Sequence, residues 1–550
     1  MNILKPIFLS SWFRKGKRMI LYYTLTRYQQ LASMLHKLLF APDEEAHLYL
    51  SNGNYIESDY IERLKKTGIF VEVVVFNDQP AWAMGTEVDL KHEERLYSAL
   101  DKVTELCIQS LIRPLEQYDD IYILADHFPL GYVLAYKNVP YHYIEEAAGV
   151  HCCYKLWQQK LLEQNNQFLY LISKKVGVYG SADCVIDWYV DLDRQDETYY
   201  NKKAINFCVS QLLKEINKHQ LGLILNVFCV NTNYINKKKK KVALILTEYL
   251  ANAKICSWEE QRMVYGLLID YFCENMEVFI KPHPNDHQGT YRAWFLSITE
   301  LNKSAPSELI PYCLGNKIDK LISLCSTSFR SLQDNAIDIY SFRNKDLRTE
   351  KMLQSFNKYY VASKIIATIK DKYSIYGIGA DVHQIKYFLK EEGIRGIEIW
   401  EYDKADLPNN ENRRIIVIDD LSYSNQLTEI DIYEMVDNME EDDVFVFIDS
   451  KKDVLFFGDD NNSWAEYIVP IRIEETSLRV EIEEKKGWIF MLSKDGELRH
   501  TFMHTRIDRM LVNAGIQVKA NDEKTSIRER VLEGMLYATE QKCIMLTHRK

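Results

Sequence analysis

The chain has 550 residues, a length that suggests about three domains, and its 47% hydrophobic and 27% charged residues are those of a globular protein. A net charge of -11 excludes a general nucleic-acid binder, which needs a positive surface. The 11 scattered cysteines lack CxxC spacing, offer neither a zinc pattern nor a disulfide framework, and fit a reducing cytoplasm.

Residues 1–16 are an extension whose apolar part is too short for a signal-peptide core. Phe8 to Arg18 sets Trp12 and Phe13 among basic residues, a pattern that suits a membrane surface as well as a frayed end. No stretch approaches the ~20 apolar residues of a membrane span. Met19 to Leu25 predicts a strand and Arg27 to Phe40 a helix. Strands follow at Ala46–Leu50, Phe70–Phe76, Asp120–Ala125 and Pro140–Glu145, with helices at Tyr60–Thr67 and Glu93–Leu111. Strands alternating with helices imply a parallel sheet covered on both faces. Residues 156–235 read as a mostly helical connection that completes a first Rossmann-like domain over 17–235.

A second Rossmann-like domain spans 236–370. The basic run Lys237 to Lys241 precedes its first strand, Lys241–Thr247. A helix at Trp258–Cys273 and strands at Glu277–Ile280, Leu321–Cys325 and Ile337–Ser341 follow. An accessory α/β region covers 371–550, with strands at Tyr373–Tyr376, Ile397–Trp400, Ile415–Ile418 and Val444–Ile448. Gly377-Ile378-Gly379 reads as a tight turn before a helix at Val382–Glu391. With Asp403 it makes a partial dinucleotide fingerprint lacking its third glycine, so a structural or partner-binding role fits better than a cofactor site. Asp191-Leu192-Asp193 reads as a solvated loop.

Ligands of parallel sheets bind beyond the carboxyl ends of the strands. Three such positions carry chemistry. Glu145-Glu146 follow a strand; adjacent acids can raise one pKa and so supply a general base, or merely occupy a solvated turn. Lys281-Pro282-His283-Pro284 ends another strand. The prolines stiffen the loop around an imidazole that can donate to or protonate a departing phosphate, and Lys281 adds positive charge. Ser326-Thr327-Ser328 offers hydroxyls and amides at a helix start, suited to an anion or to ordinary capping.

Taken in order, Thr26-Arg27-Tyr28-Gln29, Glu145-Glu146, Lys281–Pro284 and Ser326–Ser328 resemble the motifs of bacterial sialyltransferases, those of glycosyltransferase family 52 and the related polysialyltransferases, over roughly residues 17–365. Two positions depart from the pattern. Ala147-Ala148 separate the acids from Gly149, and Arg27 stands where the opening turn has proline.

The resemblance implies a GT-B fold of two facing Rossmann-like domains, with the acceptor on 17–235 and the nucleotide sugar on 236–370. It implies an inverting, metal-independent transfer of sialic acid from CMP-sialic acid to a glycan hydroxyl in cell-surface polysaccharide or lipooligosaccharide synthesis. Glu145 or Glu146 would be the base and His283 would act on the leaving phosphate. Lys281, Pro284, Ser326, Thr327 and Ser328 would hold the nucleotide, and Thr26, Arg27 and Gln29 would lie on the acceptor side. No cofactor or metal is expected beyond the donor itself. Contact with the inner face of the membrane and a homodimer stay open. A CDP-glycerol-type polyol-phosphate transferase would need a histidine base, for which His142 and His151 lie near the acids. A degenerate, non-catalytic scaffold is the third reading.

Overall fold

A computed structural model of the chain describes residues 17–394 with interruptions, the longest at 147–157, 195–202 and 343–358, and beyond 394 the backbone of strands between 398 and 519. The described residues form two compact units. One contains the chain up to 239 together with 302–318 and 327–337. The other contains 240–301, 319–326 and the chain from 338 onward.

The first unit is built on a seven-stranded parallel sheet. Its strands are β1 (Met19–Thr24), β2 (Glu45–Ser51), β3 (Glu72–Phe76), β4 (Asp120–Ile123), β5 (Tyr141–Ile144), β6 (Val185–Val190) and β7 (Lys203–Asn206), in the order β3-β2-β1-β4-β5-β6-β7. Every residue of β1 is buried, which explains its unbroken apolar and aromatic run. Alternation sends Met19, Leu21 and Tyr23 to one core and Ile20 and Tyr22 to the other. Helices Leu96–Gln109 and Pro129–Tyr136 cover the first core, and Arg27–Leu39 the second.

The expected pair of parallel α/β sheets is present. The described residues of 156–235 hold helices, as expected, and strands as well. They contribute β6 and β7, which widen the first sheet beyond the strands read from the sequence. Asp191 is not in a solvated loop: it is buried at the end of β6.

The second sheet has the order β10-β9-β8-β11-β12, from β8 (Val242–Leu246), β9 (Glu277–Lys281), β10 (Ile298–Glu300), β11 (Ile318–Ser323) and β12 (Ala336–Ser341). The β10, β9, β8 and β11 strands run parallel. A third sheet begins at β13 (Tyr373–Ile378), with parallel neighbours at Glu398–Trp400 and Arg413–Asp419 and antiparallel strands later in the chain. Gly377 lies inside β13, so the expected tight turn does not start there. Gly379 and Asp403 lie outside the described residues.

Helix Ile385–Glu391 ties this region to the second sheet. The Phe388 ring meets Phe272 at 4.9 Å and Tyr271 at 5.9 Å, and Tyr387 donates to the Ser341 carbonyl at 3.0 Å. Lys320 bonds Glu391 at 2.6 Å. Among the described residues, no helix is long and apolar enough to cross a membrane.

His142, one of the two histidines considered as a base, points away from the ligand-binding edge. It joins Asp187 at 2.6 Å and approaches Asp120, the first residue of β4, at 3.7 Å. His151 lies outside the described residues. Burial alone would lower the His142 pKa; the bonds to Asp120 and Asp187 outweigh it and raise it to about 9. The folded chain therefore holds this proton more tightly than the unfolded chain does. The stabilisation is full below the ordinary histidine pKa and is lost as pH rises through about 9. His142→Gln should cost on the order of 2 kcal/mol at pH 6. In melting curves the deficit against the parent chain should shrink by pH 10; a pH-independent deficit would contradict the charged assignment.

Candidate active site

Strand order reverses beside β1, which lies between β2 and β4. The crevice beyond such a reversal is where open α/β sheets take ligands. On the β1 side stand Thr26, Arg27 and Gln29, all engaged in local structure. Thr26 accepts from the Gln29 N–H at 3.3 Å, and Gln29 Oε1 accepts from the Leu25 and Thr26 N–H groups at 2.6 and 3.1 Å. This is a capping box for helix Arg27–Leu39. Gln29 also donates to the Leu124 carbonyl at 2.9 Å. The Arg27 guanidinium lies 3.3 Å over the Tyr60 ring and pairs with Glu57.

On the β4 side the chain continues into Asp126 and His127. Asp126 is fully buried and accepts three bonds, from the N–H groups of Tyr179 (2.6 Å) and Gly180 (2.7 Å) and from the Tyr141 hydroxyl (3.1 Å). Burial raises its pKa to about 6, although these donors pull it down. Tyr179 is held at φ +55°, and its ring stacks on His127 at 4.7 Å and 17°. Gly180 has φ +78°, and a Cβ there would sit 2.9 Å from the Tyr143 ring.

The acidic pair ends β5, next to β4, and its two members differ. Glu145 is buried, continues the ladder to the Tyr189 carbonyl through its N–H, and accepts from the Asp191 N–H at 2.9 Å. Its charge reaches Tyr28, whose phenol is pushed well up by burial and then by Glu145. Glu146 is half-buried, with Oε2 3.4 Å from His127 Nε2. Burial, then the Asp126 charge, raises Glu146 to about 8, while burial lowers His127 to about 3. At neutral pH the contact is therefore a neutral carboxyl against a neutral imidazole rather than an ion pair.

The second sheet reverses beside β8, which lies between β9 and β11. Thr247, Glu248 and Tyr249 follow β8, and Lys281–Pro284 end β9. Thr247 Oγ1 accepts from the His283 N–H at 2.9 Å and donates to Asp286 at 3.3 Å. Asp286, fully buried, also accepts from the Tyr291 hydroxyl at 2.8 Å, to which Gln261 donates at 2.7 Å. The His283 ring packs against Tyr249 at 4.3 Å. Its Nδ1 accepts from the Asn285 N–H at 3.2 Å, which puts the ring proton on Nε2. Lys281 is buried and donates to the Pro282 carbonyl at 3.0 Å; Pro284 is exposed. Glu248 is raised to about 7 by burial and by Asp286.

Ser326 follows β11, and its N–H donates to Ser323 Oγ at 3.1 Å. Ser328 precedes helix Phe329–Leu332, which has only four residues and so carries little of the dipole expected there. Thr327 lies outside the described residues. Among the described residues, no group of three His, Cys, Asp or Glu side chains is arranged around a common point to hold a metal.

Sequence reasoning missed Asp126, His127 and Glu248. Each lies within four residues of the end of a buried strand, and that position was itself the available signal.

Residues 109–330 match the family model described as alpha-2,8-polysialyltransferase. The match takes in Glu145, Glu146, Lys281–Pro284 and Ser326–Ser328 and stops short of Thr26–Gln29. The match covers less than half of the chain and makes residues 109–330 similar to a sialyltransferase-type glycosyltransferase family. No curated protein matches it. Among solved structures it is similar to an alpha/beta-galactoside alpha-2,3-sialyltransferase from Photobacterium phosphoreum, with 10% identity over 60% of this chain and 92% of that one and a TM-score of 0.37. It is also similar to the glycosyltransferase of kitacinnamycin, with 12% identity over 61% and 83% and a TM-score of 0.33. A UDP-GlcNAc 2-epimerase from Neisseria meningitidis shares 12% identity over 56% and 77%, with a TM-score of 0.29.

Gly180→Ala tests the cradle under His127. The left-handed backbone and the collision with Tyr143 should together cost roughly 1–3 kcal/mol. Calorimetry should show a lower melting temperature, and an unchanged one would contradict the described packing.

Proposed function

We propose that the chain transfers sialic acid from CMP-sialic acid to a glycan hydroxyl, with inversion and without a metal. The observation that carries the reading is the polysialyltransferase match over 109–330, because it spans both the acidic pair and the Lys-Pro-His-Pro segment. The local chemistry of each set supports it.

In this reading the acidic pair supplies the base. A carboxylate takes the proton of the acceptor hydroxyl as that oxygen attacks the anomeric carbon. The bond from that carbon to the phosphate oxygen breaks on the opposite face, through an oxocarbenium-like transition state, and CMP leaves with the electron pair. His283, with its proton on Nε2, donates to the departing phosphate. Ser326, Thr327 and Ser328 add hydrogen bonds, and Lys281 adds charge. Thr26, Arg27 and Gln29 shape the acceptor side through the start of their helix rather than by reaching out. The acceptor is a precursor of a cell-surface polysaccharide or lipooligosaccharide, met at the inner face of the membrane.

The polyol-phosphate alternative needs a histidine base. His142 is locked between aspartates, and His127, at the right edge, is held by burial near pKa 3, which makes it a weak base. These observations count against His142 and His127 as that base.

His283→Ala should lower turnover about 100-fold or more. Incubation with a panel of activated sugars, read as released CMP, CDP or UDP, checks both donor and variant. Release of CDP alone, or a near-normal rate in the variant, would contradict the reading. Thr247→Val removes the bond that fixes the His283 backbone and should weaken CMP binding roughly tenfold, on the order of 1.4 kcal/mol. Titration calorimetry reads this directly, and unaltered affinity would separate Thr247 from the nucleotide.

A further inference from the structure

We infer that Glu146 rather than Glu145 is the proton-accepting carboxyl of the acidic pair, and that His127 is its positioning residue. The inference rests on the transfer reading above and deepens it.

The two acids are adjacent in sequence but not equivalent in space. Glu145 is only 1% exposed and spends Oε1 on the Asp191 N–H, which ties the end of β5 to the end of β6. A carboxylate fixed this way holds two strand ends together and is poorly placed to reach a substrate. Glu146 is half-buried and lies against an imidazole.

That imidazole has little freedom. The His127 ring lies flat on Tyr179, at 17°, and meets Phe128 edge-on at 4.9 Å. Tyr179 is fixed in turn by the Asp126 carboxylate, which accepts its N–H and that of Gly180. Gly131 lets the following helix close over the same point, since a Cβ there would fall 2.1 Å from the Asp126 Cα. The path Asp126, Tyr179, His127, Glu146 is therefore continuous and lies within one unit.

A neutral imidazole serves a carboxyl in both protonation states. When Glu146 is ionised, Nε2–H donates to Oε2. When Glu146 is protonated, the other tautomer accepts from it. In either state a small closing of the 3.4 Å contact lets His127 hold Oε2, which leaves Oε1 as the oxygen to meet an acceptor hydroxyl. The bond from that hydroxyl's oxygen to its proton breaks, and the proton joins Glu146.

Among the described residues, the titratable groups around Glu146 are Asp126 and His127 after β4, Tyr143 and Glu145 in and after β5, and Tyr179 from the loop after helix Gln167–Lys175. Burial and Asp126 push Glu146 up. The base form therefore appears as pH rises through about 8 and is scarce below it.

The test is a carboxyl titration of the full chain by infrared difference spectroscopy, beside steady-state kinetics. Beside the Glu248 signal, which E248Q removes, a protonated-carboxyl signal should vanish with a midpoint near 8 and should be absent in E146Q. In H127F, which keeps a ring on Tyr179, the midpoint should move by about half a unit or more. On the kinetic side, kcat should fall roughly tenfold with KM for the donor nearly unchanged, and H127Q should recover part of the loss. Melting curves establish that each variant is folded. The inference is overturned if the signal is lost in E145Q and not in E146Q, or if both H127F and H127Q leave midpoint and kcat unchanged. If the titration behaves as expected but no activated sugar is consumed, the Glu146–His127 pair stands and the transfer reading falls.

Discussion

The interaction on which the rest depends is the burial of polar anchors at the carboxyl ends of parallel strands. A sheet covered on both faces leaves little water there, so an inward-turned polar group must find protein partners. Asp126 meets this constraint with two backbone N–H groups and a phenol. Asp286 meets it with Thr247 and Tyr291. Each anchor pins a loop that carries an imidazole, His127 in one unit and His283 in the other. The two candidate imidazoles therefore stand on loops tied down by buried hydrogen bonds. The same low dielectric raises Glu146 and Glu248 and lowers His127, so the groups that could move protons at neutral pH are the ones pressed against the anchors.

Much of the fold was legible because the central strands are buried on both faces. Met19–Thr24 and Val242–Leu246 are nearly unbroken apolar runs, and such runs stand out from helical periodicity. Lys203–Asn206 did not stand out. It is an edge strand of mixed exposure, flanked by charge, and its pairing with Val185–Val190 comes from tertiary contact rather than from its own pattern. The Gly377 turn was misread for a related reason: a glycine inside a strand has the same local signal as one that ends it.

The candidate site was legible in part. Glu145-Glu146 and Lys-Pro-His-Pro announce themselves by composition. Nothing in the sequence separates Glu145 from Glu146; the difference lies in which of them faces Asp191 and which faces His127. Asp191 looked like a charge in a polar loop and proved to be a buried neighbour of Glu145, because β6 carries it inward. Thr26 and Gln29 illustrate the reverse case. They were read from the sequence as part of a binding turn, and their side chains are committed to a helix cap.

The account places nucleotide binding at the strand-order reversal of the second sheet. Photo-crosslinking with a light-activated CMP analogue, mapped by mass spectrometry on the full chain, tests this most directly. The account predicts labels, competed away by CMP, on peptides containing Thr247–Tyr249, Lys281–Asn285 or Ser323–Ser326. Labels confined to residues 373–550, or labelling that CMP does not compete, would contradict it.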